Sequence, residues 1–146
     1  MNLRLENARH LLAKARDDAY ILTRLADDPS APDWPLGFHA QQAVEKALRA
    51  VLAVHGVEYP LTHNLAMLVA KLAQHGVVKP PNAEGLSRLT PFGVAQRYDD
   101  VGESEQVNLD REWAATCVDQ TLAWADAALP ASGEHEKRDV REGGWK

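Results

Sequence analysis

The sequence predicts an all-α protein: an up-and-down bundle of four to five helices with a kinked fourth segment. Three observations carry this prediction. Apolar residues recur every three or four positions through several long stretches. No stretch shows the period-two alternation of a half-buried strand. The breaks between apolar stretches are short, which favours antiparallel neighbours.

Leu5, Ala8, Leu12, Ala15, Ala19, Leu22 and Ala26 keep the helical spacing over about six turns and predict the first helix. It is expected to stop near Asp28-Pro29, because proline restricts the residue before it. The second helix is expected from about Pro35 to His55. Ala40, Val44, Ala47, Leu48, Val51, Val54 and His55 form its apolar side, and Gly56 fits a left-handed stop. Thr62 can cap a third helix, with Leu65, Leu68, Val69 and Leu72 inward and Gly76 at its end. A fourth segment is expected over Ala83–Tyr98, kinked or split by Pro91 and Gly93.

Asp110 or Asn108 can cap the last helix, which is expected to run to about Leu129. It carries two stripes. One is Trp113, Cys117, Gln120 and Trp124; the other is Ala114, Val118, Leu122 and Ala125. Apolar surface on two sides predicts a central or interfacial helix. The composition then changes. Residues 1–129 read as one helical domain, and 130–146 as a polar, glycine-rich tail expected to be flexible.

The chain of 146 residues suits one domain with a moderate core. Its 16 basic and 21 acidic residues give a formal charge of −5, so bulk attraction to nucleic acid is absent and RNA is a disfavoured partner. Cys117 is the single cysteine, which excludes an internal disulfide and the common CxxC zinc spacings. No HExxH motif occurs, and the glycines form no phosphate-cradling loop. No metal or other cofactor is expected. MNLRLENARH lacks the apolar run of a signal peptide, and no apolar run approaches the roughly 20 residues that span a bilayer. A cytoplasmic protein is the expectation.

The second helix poses the functional question. His39, Gln42, Lys46 and Arg49 fall within about 80° of one another on its polar face, with Gln41 and Glu45 at the rim of its apolar side. Glu45 stands four residues before Arg49, so an intrahelical ion pair is expected, worth about 0.2–0.5 kcal/mol. A solvated face accounts for this composition. So does a dimer seam, since Phe38 projects near Arg49 on the polar side and Gln41 needs a partner. A ligand site is the third reading. His63, after Thr62, either pins its loop or assists an anion at a helix start. Arg97 can pair with Asp99, Asp100 or Glu45, or clamp a phosphate with Tyr98 near a base.

FHAQQAVEKALRAVLAVHG at Phe38–Gly56, THNL at Thr62–Leu65 and LTPFGVAQRYDD at Leu89–Asp100 together resemble a minimal bacterial HEPN domain over about residues 1–129. The family pattern falls on Phe38, Gln41, Gln42, Glu45 and Lys46, then on Thr62 and His63, then on Arg97 and Tyr98. The resemblance implies a short helical bundle and a homodimer. It also implies work beside a nucleotidyltransferase, often in a toxin–antitoxin pair, and nucleotide binding. His39, Gln42, Lys46, His63, Arg97 and Tyr98 are then the ligand-binding candidates, supported by Phe38, Gln41, Glu45 and Thr62.

Other HEPN proteins are metal-independent ribonucleases with an arginine followed, four to six residues later, by a histidine. Chemically, the histidine moves a proton at the 2′-hydroxyl and the arginine stabilises the phosphate charge. Here YDDVGE follows Arg97, and no histidine is in range. Arg4 with His10 and Arg49 with His55 have the spacing, but six positions put the members about 120° apart on a helix. His55 is better placed to cap or pack. The expectation is therefore a non-catalytic homodimeric module that binds a nucleotidyltransferase-like partner, a nucleotide, or both. A ribonuclease toxin and a purely structural interaction bundle are the alternatives.

Overall fold

The computed structural model describes residues 2–93 and 108–130. Among the described residues, four α-helices and one 3₁₀ helix build an all-α bundle: α1 (Leu3–Leu25), α2 (Asp33–Val54), α3 (Leu65–Gln74), the 3₁₀ helix (Leu86–Gly93) and α4 (Arg111–Ala128). The tail from residue 131, and Arg97 and Tyr98, lie outside the described residues. No helix among the described residues is long and apolar enough to cross a membrane.

Asn2 opens α1, its side chain accepting from the Leu5 N–H at 3.1 Å. Leu5, Ala8, Leu12, Ala15 and Leu22 are buried in the expected row, but the buried position between the last two is Asp18. Ala19, expected there, is only half-buried.

The central helix is α2; for the last helix the sequence left a central and an interfacial place open. It packs against α1 most extensively, and also against α4, the 3₁₀ helix and α3. Its small residues explain this: Ala40, Ala43, Ala47, Ala50 and Ala53 are buried on several sides, so neighbours approach closely. Helices α2 and α3 end alike. Gly56 and Gly76 both have φ 72°, the left-handed conformation that glycine adopts without a Cβ clash. Beyond each, Val57 N–H donates to Leu52 O at 2.9 Å and Val77 N–H to Leu72 O at 3.0 Å, closing the last turn.

In the described part of the fourth segment, Leu86–Gly93 form a 3₁₀ helix with Pro91 inside it. Leu86, Leu89 and Phe92 are buried, and their three-residue spacing matches three residues per turn, not 3.6. Thr90 Oγ1 accepts from the Leu65 N–H at 3.2 Å and joins this segment to the start of α3.

Asp110 caps α4 by accepting from the Trp113 N–H at 3.0 Å. Ala114, Cys117, Val118, Thr121 and Ala125 face the core. Burial pushes the Cys117 thiol up, against a smaller opposing effect of Arg88. The outer residues of the tryptophan stripe are met by the connection that precedes and enters the 3₁₀ helix. Arg88 lies 4.0 Å over the Trp113 ring, Asn82 donates to Gln120 Oε1, and Trp124 Nε1 donates to Val78 O at 3.0 Å.

Arg111 ties the helix junctions together. Its Nε donates to Asp33 Oδ1 at 2.9 Å, and its terminal nitrogens to the carbonyls of Ala26, Asp28 and Ala31. The last carbonyls after α1 thereby find a charged donor.

Candidate functional site

The polar side of α2 is organised by two buried carboxylates. Asp18, 7% exposed, comes from α1. Its Oδ1 meets His39 Nδ1 at 2.8 Å, and its Oδ2 accepts from Lys46 Nζ at 2.6 Å. His39 and Lys46 are seven residues apart, two turns along one face, so a single acid can reach both.

Glu45, 2% exposed, is the second centre. Oε1 accepts from Gln41 Nε2 at 2.9 Å and meets His63 Nδ1 at 2.9 Å. Oε2 meets an Arg49 terminal nitrogen at 2.9 Å, the expected intrahelical pair. Gln41, fully buried, also donates to His63 O at 3.0 Å, and its Oε1 accepts from Gln42 Nε2 at 2.8 Å. Arg49 further donates to Thr62 O at 3.0 Å and lies 5.6 Å from the Tyr59 ring centroid. Gln41 and Glu45 are thus interior groups, not rim groups, and their burial is tolerable because their polar atoms are partnered.

The ridge Gly37–Gln41–Glu45, at four-residue spacing, explains why the 3₁₀ helix docks here. A Cβ on Gly37 would fall 2.2 Å from the Phe92 ring, and one on Gly93 would fall 2.7 Å from Gln41 Cδ. The absence of both side chains lets Phe92 fill the slot at Gly37 and lets the Gly93 backbone lie on Gln41.

The sequence-predicted residues divide as follows. His39, Gln42 and Lys46 share the half-buried side of α2, with Gln41 and Glu45 beneath. His63 joins them through Glu45. Thr62 does not cap α3: Asn64 does, accepting from the Met67 N–H at 3.3 Å, while Thr62 Oγ1 accepts from the Asn64 N–H at 3.0 Å. His63 therefore precedes the helix, not inside its first turn, and both its side chain and its carbonyl pin the loop. Phe38 finds aromatic cover within its own helix. It stacks on Trp34, one turn earlier, with centroids 5.9 Å apart, and meets His39 edge-on at 5.4 Å. Arg49 and His55 diverge: His55, exposed, meets Val51 O through Nδ1 at 2.9 Å, a capping contact.

Asp18 is the residue that sequence reasoning missed. Its signal is an acid three residues after Ala15 and four before Leu22, inside an otherwise apolar row. Among the described residues, no group of three or more His, Cys, Asp or Glu side chains is placed to hold a metal ion. A groove of about 670 Å³ lies at the other end of α2, lined by Arg4, Asn7, Gly56, Glu58 and Tyr59 among others.

No curated protein and no solved structure gives a significant match. The HEPN domain family model matches residues 32–123, from the start of α2 into α4. That span contains FHAQQAVEK, THNL and LTPFG, the segments that meet around Gln41 and Glu45, and the chain belongs to the HEPN domain family.

Proposed function

We propose that this HEPN protein is a non-catalytic, homodimeric binding module that engages a nucleotidyltransferase-like partner, a nucleotide, or both, as one member of a toxin–antitoxin pair. The observation that supports this is the row His39, Gln42 and Lys46, three half-buried donors on the central helix, each fixed by a buried acceptor. Donors fixed before a ligand arrives lose little freedom on binding. Each also keeps capacity outward. Lys46 has three N–H groups and gives one to Asp18. His39 uses Nδ1 and leaves Nε2, and Gln42 uses one N–H of two. A compact ammonium beside the free Gln42 N–H suits a phosphate oxygen, while the neutral His39 ring turns an accepting Nε2 toward a ligand N–H or O–H. Arg97 and Tyr98 are proposed to complete the site from the segment after Gly93.

Calorimetric titration with nucleoside triphosphates tests the nucleotide arm. Binding by the native protein and its loss in Lys46→Ala are expected; no binding, or equal binding by the variant, removes this face as the site. Sedimentation at micromolar concentration is expected to return a dimer mass. RNA incubated with the protein is expected to stay intact, and cleavage that disappears in Arg97→Ala would overturn the non-catalytic reading.

A further inference from the structure

We propose that His63 is a phosphoryl-acceptor site, modified at Nε2 by small acyl-phosphate donors. The inference goes beyond ligand binding by the α2 face and does not require it.

The five histidines among the described residues are His10, His39, His55, His63 and His75, and they differ in partner and exposure. His10 is exposed and has no hydrogen-bond partner among the described residues. His55 and His75 are exposed, and each turns Nδ1 to a backbone carbonyl four residues earlier, at 2.9 and 3.0 Å. His39 has a carboxylate partner, but Lys46 shares it and the side chain is only 25% exposed. His63 alone in this set joins a buried carboxylate partner to a side chain that is 50% exposed.

The chemistry follows from that pairing. An ionised carboxylate only accepts, so His63 Nδ1 carries the hydrogen and Nε2 carries the lone pair in the neutral ring. Attack by Nε2 leaves positive charge on the imidazole, and the Glu45 anion lies 2.9 Å from Nδ1 to balance it. Arg49 on the other Glu45 oxygen weakens this pull without removing the orientation. The backbone is fixed on both sides as well, Thr62 O by Arg49 and His63 O by Gln41. The ring therefore needs little rearrangement to react. A phosphoryl group suits this place because it stays charged and hydrated on an exposed ring and needs no pocket.

In the step, the Nε2 lone pair attacks phosphorus of the acyl phosphate. The N–P bond forms, the P–O bond to the acyl group breaks, and the carboxylate leaves with the electron pair. The Nδ1 hydrogen stays against Glu45. No oxidation or reduction takes place.

The experiment treats the full chain with acetyl phosphate and maps adducts by tandem mass spectrometry under alkaline handling. His63 is expected to gain phosphate about tenfold faster than His10, His55 or His75, equivalent to about 1.4 kcal/mol off the barrier. Glu45→Gln, checked for native circular dichroism, is expected to slow it by about the same factor. If Glu45→Gln does not fold, the comparison among histidines within the native chain still decides. Equal rates at the four histidines, acetylation of His63 in place of phosphorylation, or no adduct on His63 would overturn the proposal.

Discussion

Asp18 of α1 and Lys46 of α2 meet at 2.6 Å across the most extensive helix contact among the described residues. The acid is nearly buried and the ammonium is about a quarter exposed, so solvent screens the pair in part. Truncating the acid leaves two donors, His39 and Lys46, facing a gap in the seam. Asp18→Ala is expected to cost about 1–3 kcal/mol, between the values for exposed and fully buried pairs. Denaturant unfolding measures it. An Asp18/Lys46 double-mutant cycle is expected to show coupling of about 1 kcal/mol.

Arg111 is expected to tolerate no substitute. A lysine carries its three donors on one nitrogen, without a planar fork, and cannot reach Asp33 and three carbonyls together. Arg111→Lys and Arg111→Ala are both expected to destabilise by about 2–4 kcal/mol, the lysine variant recovering less than half. Hydrogen exchange should speed up first in the 26–32 connection.

Gly37→Ala sets two effects against each other. Alanine favours a helix interior by about 1 kcal/mol over glycine. The new methyl would overlap the Phe92 ring, and overpacking of this kind costs about 1–3 kcal/mol or more. Because the overlap is with the near side of a buried ring, the steric effect is expected to win. Adding Phe92→Leu to Gly37→Ala is expected to restore part of the loss, readable as a partial recovery of melting temperature.

Cys117 sits in the core with its thiol pushed up by burial. Iodoacetamide at about pH 8 is expected to leave it largely unmodified in the folded protein and to alkylate it readily in denaturant. Rapid native alkylation would mean that α4 opens locally.

Asp28 is held below the ordinary carboxylate value of 3.8, first by the Ser30 hydroxyl, then by the Ser30 N–H, with Arg111 adding its charge. A lowered folded-state value stabilises the fold above the ordinary one and loses that effect as pH falls through the lowered one. Ser30→Ala is therefore expected to reduce stability at about pH 6 and to matter less at about pH 2, as urea midpoints at the two pH values would show.

The sequence discloses the features that depend on neighbours in the chain. The α1 row, the Asp110 cap, the stops at Gly56 and Gly76, the Glu45–Arg49 pair and the buried Cys117 all rest on spacings of four residues or fewer, or on position within a stripe. The partners of the candidate site come from farther away. Asp18 reaches Lys46 across 28 positions, and His63 reaches Glu45 across 18. Helical period tells which side a residue occupies, not which polar group a second helix brings to it. For the same reason Gln41 and Glu45 look like rim residues in sequence, although the THNL loop and the 3₁₀ helix close over them. Thr62 and Asn64 are both good caps, and only the backbone path decides between them.

The contacts of Trp113, Gln120 and Trp124 with Arg88, Asn82 and Val78 have a consequence for assembly. Much of the outward stripe of α4 is already engaged by its own polypeptide, and Phe38 has Trp34. Neither feature calls for a second copy to shield it. The two-fold axis of the proposed homodimer is then best sought away from Trp34, Trp113 and Trp124, and the fluorescence of these three should change little when monomers associate.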